Sequence, residues 1–457
     1  MAVVLMTKIK TLSLLKFKVL FLSLFLGFFL IGCGGAQVPE ITAQPKSKLA
    51  TANSEFTLQV TAQVTDGGVL TYQWYSNTKN STEGGTAIEG ENSDVFKSIA
   101  PSDGFAYYYV VVTNINADLT SYANVTSDVA VITVVDYAVH EVSFYDEDLK
   151  LLSVETVSDG ETISPTDFYS KPLYQVNSAE AVEELRVDSD TALFAVANVV
   201  GISNRAGLEA IKSNLDGRYV LEADIDLSDA DWTPIGNKAN PFTGRFSGKA
   251  HKIKGLTINS PSTDYVGLFG YVRGGNVLAL RLTLGNNGIK GDNYVGGIAG
   301  YAVRSTITAV TVNGDIKGSS YIGGIAGAVN VGTITATSSA TNVEATGNYV
   351  GGVTGDITLG TITATYTRGD ITSLNGKYVG GVAGYSEFST ITATFGYGKV
   401  TGDKYVGGVV GYLRFGTVVA SFLHGRAYGN DNVDGITGRN FLGIVLASLA
   451  DGLGRLV

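Results

Sequence analysis

Tyr294-Val295-Gly296-Gly297-Ile298-Ala299-Gly300 decides how this chain reads, because closely similar phrases return at Tyr321, Tyr349, Tyr378 and Tyr405, at intervals of 27 to 29 residues. A shortened copy, Tyr265-Val266-Gly267-Leu268-Phe269-Gly270, opens the series. A worn one, Asn432-Val433-Asp434-Gly435-Ile436-Thr437-Gly438, closes it. Recurrence at such a period is the mark of a solenoid, in which each repeat is one supersecondary unit stacked on its neighbours.

Aligning the repeats on their tyrosines brings further columns into register. Thr306, Thr333, Thr361, Thr390 and Thr417 share one column, and Ile307, Ile334, Ile362, Ile391 and Val418 the next. Thr308, Thr335, Thr363, Thr392 and Val419 follow, then Ala309, Ala336, Ala364, Ala393 and Ala420. Alternation of threonine with apolar residues predicts a half-buried strand, with Ile and Ala inward and Thr outward. Thr333, Thr335 and Thr337, then Thr361, Thr363 and Thr365, then Thr390, Thr392 and Thr394, thus read as three outward columns on a flat face. A second strand is marked by Gly314-Asp315-Ile316, Gly369-Asp370-Ile371 and Gly398-Lys399-Val400. Val295 and Ile298, three apart, cannot both point inward from one flat strand, so Gly296-Gly297 is expected to bend the backbone. The overall expectation is an all-β chain whose largest part is a right-handed β-solenoid of about seven turns. Residues 203 to 215, with Ser203 as N-cap and Leu208, Ile211 and Leu215 on one face, are expected to form its capping helix.

The repeated Tyr-Val-Gly-Gly phrases resemble the GLUG repeat of bacterial surface and secreted proteins. So do Asp224-Ile225-Asp226-Leu227-Ser228, Trp232-Thr233-Pro234-Ile235-Gly236 and Phe242-Thr243-Gly244-Arg245-Phe246-Ser247-Gly248. The resemblance covers roughly residues 200 to 440 and implies surface display, often adhesion, with no shared catalytic activity.

At the other end, Lys8, Lys10, Lys16 and Lys18 precede an apolar run from Val19 to Ile31, as in a signal peptide. Leu30-Ile31-Gly32-Cys33 resembles the lipobox of bacterial lipoproteins, which implies lipidation of Cys33, a membrane attached through that lipid, and outer-membrane sorting by Gly34. Cys33 is the sole cysteine, so no intramolecular disulfide supports the fold. Loss of the four leader lysines moves the net charge from −10 to −14, against the basic footprint that nucleic-acid binding needs. The 58 glycines and only 16% charged residues suit a turn-rich β protein.

The segmentation that follows is 1–32 leader, 33–37 lipidated linker, 38–135 sandwich, 136–198 small module and 199–457 solenoid with caps. Trp74 in Thr71-Tyr72-Gln73-Trp74-Tyr75, with Ser102-Asp103-Gly104 before an aromatic strand, resembles an immunoglobulin-type sandwich of the bacterial kind. Leu185 to Val196 is similar to the end of internalin-type B repeats, which implies a β-grasp-like module.

Residues suited to catalysis are scattered. His140, His251 and His424 fall in different segments, and no His-Glu-x-x-His, Gly-x-Ser-x-Gly or phosphate-binding loop is present. The column Asp315, Asn342, Asp370, Lys399, Arg426 mixes charges, and its two acids stand two rungs apart, about 10 Å, just outside the range for paired glycosidase carboxylates. Asp224, Asp226, Asp229 and Asp231 read as a solvated strand edge rather than a calcium loop. Tyr366, Phe395 and Phe422 share the parity of the inward isoleucines and read as core. Tyr294, Tyr321, Tyr349, Tyr378 and Tyr405 sit at a corner, where a stacked ladder could meet sugar rings. The expectation is a non-enzymatic, cofactor-free surface lipoprotein whose solenoid, lifted on two small modules, contacts a glycan or a protein of a host or neighbouring cell. The competing readings are a structural scaffold, an ice-binding threonine face (Thr333, Thr335, Thr361, Thr363, Thr390, Thr392) and a polysaccharide-degrading β-helix.

Overall fold

A computed structural model describes residues 36–66, 68–115, 122–135, 137–446, 448–450 and 455–456, so the leader and Cys33 lie outside it. The chain is all-β apart from one short α-helix and two 3₁₀ turns. From about residue 199 it winds into a parallel β-solenoid of about eight turns, one more than the motif count suggests.

One turn shows the construction. Val295–Gly296 lies in a sheet of 6 strands, Ala299–Val303 in a sheet of 7, and Thr306–Thr308 with Thr311–Gly318 in a sheet of 19. Each strand pairs in parallel with its counterpart one turn on, as in Ile307↔Ile334 and Asp315↔Asn342. The isoleucine column Ile307, Ile334, Ile362 and Ile391 is at most 1% exposed. Val295, Ile298 and Val312 of the same turn close the interior from the other sheets. Burial of each such side chain contributes roughly 1.5 to 3 kcal/mol.

The corners differ from expectation in an instructive way. None of the motif glycines has a positive φ; the left-handed residue is the tyrosine itself, at φ 59 for Tyr294 and between 55 and 64 in its five counterparts. Gly296 is required by proximity instead. A Cβ there would stand 2.6 Å from Cα of Ala326 in the next turn, and one on Gly297 would stand 2.7 Å from the carbonyl oxygen of Gly324. Two further left-handed residues complete the turn, Arg304 (φ 50) and Ala309 (φ 53), and both recur along the described repeats, the second as far as Ala420.

Those left-handed alanines overturn the reading of the threonine strand. Ala309 and its equivalents are corner residues that reverse the inward–outward alternation, so the column after them turns in. Thr337, Thr365 and Thr394 are therefore buried, at 3%, 1% and 0% exposure, and are not a third outward column. Their hydroxyls bond one another along the axis: Thr337 to Thr365 at 3.4 Å, and Thr394 to Ser421 at 2.9 Å. Tyr366, Phe395 and Phe422 turn out to half-exposed positions for the same reason, and are not core.

The N-terminal end is closed by the helix Arg205–Ala210 and the 3₁₀ turn Ile211–Ser213. Its N-cap is Asn204, not Ser203: the Asn204 side-chain oxygen accepts from the amide of Gly207 at 3.0 Å. Leu208 and Ile211 are fully buried over the first turns.

Residues 40–135 form a sandwich in which Val69–Asn77, Phe105–Ile115 and Ala130–Val135 share one sheet and Glu55–Gln59 pairs with Val95–Ile99 in another. Lys48–Thr51 pairs in parallel with the last strand. Trp74, wholly buried, stacks on Phe96 at 5.4 Å and donates its indole N–H to the carbonyl of Ser93. In the next module Val139–Tyr145 pairs antiparallel with Leu151–Ser158 and parallel with Thr191–Phe194, a β-grasp-like sheet in which the helix is reduced to the 3₁₀ turn Pro165–Asp167.

The two modules do not simply extend from the solenoid as a stalk. Strand Val69–Asn77 of the sandwich packs against strand Thr361–Arg368 of the solenoid. Glu91 meets Arg281 at 3.5 Å and Glu89 meets Arg368 at 3.8 Å. Tyr145, Leu149 and Phe194 of the small module share a core with Val199 and Val220 of the first solenoid turn. That shared apolar core holds the small module to the solenoid, since exposed ion pairs contribute at most about 1 kcal/mol each.

Candidate functional site

The motif tyrosines come together. Tyr265, Tyr294, Tyr321, Tyr349, Tyr378 and Tyr405 form one continuous stack, with successive ring centroids 4.9, 4.5, 4.5, 4.8 and 5.3 Å apart. All six are half-buried. The parallel register dictates this spacing, because strands one rung apart lie about 4.8 Å from each other. Each tyrosine sits where a non-glycine side chain costs roughly 1 to 2 kcal/mol, and only the terminal Asn432 (φ 53) is a residue that favours this region. Ring stacking, at roughly 0.5 to 1.5 kcal/mol per pair, offsets that strain.

A second ladder, not singled out in the sequence, runs beside the first. It is the residue after each motif: Tyr271, Tyr301, Ala328, Asp356, Tyr385, Tyr412 and Arg439, in register through successive pairings. Tyr271 stacks on Tyr301 at 5.0 Å and Tyr385 on Tyr412 at 5.5 Å. The two ladders meet edge to face, as in Tyr294–Tyr301 at 70° and Tyr378–Tyr385 at 80°. The signal was an eighth column in the repeat, obscured because three of its members, Ala328, Asp356 and Arg439, are not aromatic.

Ala328 and Asp356 interrupt the ladder, whereas Arg439 ends it. Asp356 is half-buried, accepts a hydrogen bond from the Thr358 hydroxyl at 3.0 Å, and has no ion-pair partner among the described residues. Burial pushes its carboxyl up to about 6, with Glu387 adding to the shift. Burial also raises the phenols of Tyr294, Tyr321 and Tyr349, and pushes that of Tyr301 up to about 12.

The other sequence candidates go elsewhere. Thr333, Thr335, Thr361 and Thr363 are half-buried, Thr390 is exposed and Thr392 is only 9% exposed. With Thr337, Thr365 and Thr394 turned inward, the outward threonines form two columns and not three, and the sandwich strand Val69–Asn77 lies close to Thr361–Arg368. Asp315, Asn342 and Asp370 are tied into a polar ladder. Asn342 donates to the Asp315 carboxylate at 2.9 Å, and the amides of Asp370 and Lys399 donate to Asn342 and Asp370. The four early carboxylates diverge: Asp224 accepts from the amide of Lys252, Asp226 pairs with Lys254, Asp229 with Arg205, and Asp231 accepts from Thr257. Among the described residues no cluster of His, Cys, Asp or Glu is arranged to hold a metal ion. No helix among them is long and apolar enough to cross a membrane.

No family model matches the chain. It is 33% identical over 190 residues to halomucin of Haloquadratum walsbyi, an alignment covering 35% of this chain and 2% of that protein. It is 36% identical over 91 residues to a putative Gly-rich membrane protein of Evansella cellulosilytica, covering 18% of this chain and 10% of the relative. The chain thus matches only a small part of either relative's length.

Proposed function

We propose that this is a non-enzymatic protein of the bacterial cell envelope, anchored through lipid on Cys33, whose GLUG-type solenoid uses its tyrosine ladders to contact a glycan on a neighbouring surface. The observation that carries the reading is the double ladder of tyrosines, half-exposed except for the buried Tyr271, with the first ladder built throughout on left-handed backbone. A corner that served folding alone would be met more cheaply by Gly or Asn. Aromatic rings repeated along one corner of the solenoid give a chain-like ligand many equivalent contacts of low individual energy. The partial identity to proteins named halomucin and Gly-rich membrane protein supports an envelope setting.

The test is a glycan array probed with the purified chain and with Tyr321→Asn/Tyr349→Asn, asparagine being chosen because it tolerates the left-handed corner. Binding by the parent that is lost in a variant with unchanged circular dichroism supports the reading. Binding that survives in the variant removes the ladder from the contact. Absence of glycan binding by the parent favours a scaffold.

A further inference from the structure

Within an unbroken stack, ring faces are occupied by neighbouring rings and only edges meet the solvent. The second ladder is the exception. Tyr301 stacks on Tyr271 on one side, and Tyr385 stacks on Tyr412 on one side. Between Tyr301 and Tyr385 lie only Ala328 and Asp356, which share their column. With two rungs lacking rings, Tyr301 and Tyr385 stand three rungs apart, about 14 Å by strand spacing. Buried Ala328 forms its base, Asp356 brings the carboxylate, and Tyr321 and Tyr349 of the first ladder flank it.

A half-buried carboxylate beside four phenol rings and lacking a cation is an arrangement with an evident complement. Aromatic faces attract cations through their quadrupoles, and the attraction grows as the site is desolvated. A carboxylate adds a charge-assisted hydrogen bond to an N–H donor, which a quaternary ammonium could not make. The flanking rings also offer apolar surface to a pyranose ring.

We propose that the interruption of the second tyrosine ladder at Ala328 and Asp356 is a subsite for a protonated amino sugar, its ammonium bonded to Asp356 and its ring laid against the face of Tyr385 on the adjoining rung. This rests on the glycan-binding reading above and names the sugar class that this one position selects. The remaining turns contact the ligand without regard to its amine.

The test titrates the full chain with a glucosamine hexamer, its fully N-acetylated counterpart and a lysine hexapeptide, following tyrosine fluorescence. The amine-bearing sugar should bind at least tenfold more tightly than the acetylated one. Asp356→Asn should bring that preference below twofold, and Ala328→Tyr, which puts a ring on the rung beside Asp356 and narrows the interruption, should weaken it as well. The preference should also fade as pH drops through about 6, where Asp356 takes up a proton. The groups facing Asp356 are Tyr294, Tyr301, Tyr321, Tyr349, Tyr385 and Glu387; burial raises each of these phenols, so they stay neutral through this range. Glu387, already bonded to Arg414 and Tyr385, is tested separately by Glu387→Gln, which should leave the preference intact. Equal binding of the two sugars, or a preference unchanged by Asp356→Asn, overturns the proposal. So does a lysine peptide that binds as tightly as the glucosamine hexamer, since that marks simple attraction to an acidic chain. Binding of both sugars through Tyr321 and Tyr349 with no amine preference removes the subsite alone, whereas failure of every glycan removes the ladder reading with it.

Discussion

Replacing Tyr349 by Gly should damage the solenoid less than replacing it by Ala. Both substitutions delete the same two stacking contacts, to Tyr321 at 4.5 Å and Tyr378 at 4.8 Å, together worth roughly 1 to 3 kcal/mol. The two variants then differ only in the backbone. Tyr349 has φ 61, where a side chain with a Cβ costs about 1 to 2 kcal/mol and glycine nothing. Glycine gives back roughly 0.4 to 1 kcal/mol through the freedom of its unfolded chain. The balance leaves Tyr349→Gly more stable than Tyr349→Ala by about 0.5 to 1 kcal/mol, the reverse of the order found in an ordinary strand. Tyr349→Asn should fall close to the glycine variant. Urea denaturation followed by circular dichroism, with the three variants compared at one temperature, measures these differences. An alanine variant as stable as the glycine variant would refute the claim that tyrosine holds a strained corner, and with it the argument that the ring is retained for contact.

Four other outcomes follow from the same coordinates. Ile334→Ala, at a position with 0% exposure between Ile307 and Ile362, should cost about 2 to 5 kcal/mol, whereas Thr335→Ser on the outer side should change thermal stability little. Equal melting temperatures for those two variants would contradict the register. Gly296→Ala should lower the melting temperature sharply, because its Cβ would meet the backbone of Ala326 at 2.6 Å and no side chain can move aside. Asp356 has a folded pKa near 6 against an ordinary 3.8, so it lowers stability as pH rises through that interval; Asp356→Asn should raise the melting temperature at pH 7.5 and leave it unchanged below pH 4. His251 shows the opposite sign. Burial first, then Lys97 and Lys249, depress it from 6.5 to about 4, so the stability it permits is complete above pH 6.5 and declines as pH falls toward 4. Lys97 belongs to the sandwich, so Lys97→Gln should lessen that acid sensitivity only if sandwich and solenoid stay docked in solution.

What the sequence determined by itself was everything periodic. The spacing of Tyr294, Tyr321, Tyr349, Tyr378 and Tyr405 required a stacked repeat, and parallel pairing then placed like residues one rung apart, so the ladder at the corner was legible before any coordinates. Ile307, Ile334, Ile362 and Ile391 were legible as core because alternation holds over the three residues around each. Parity beyond Ala309 was not, since a single left-handed residue reverses the faces of a strand and nothing in an alanine announces that conformation. Thr337, Thr365 and Thr394 therefore turned inward, and Tyr366, Phe395 and Phe422 outward. The role of Gly296 depended likewise on how closely the next turn approaches, a distance between residues 30 apart in the chain. The interruption at Ala328 and Asp356 was invisible for a further reason. A carboxylate becomes unusual only when burial removes its water and leaves it without a cation, and both conditions are set by the tyrosines of neighbouring turns.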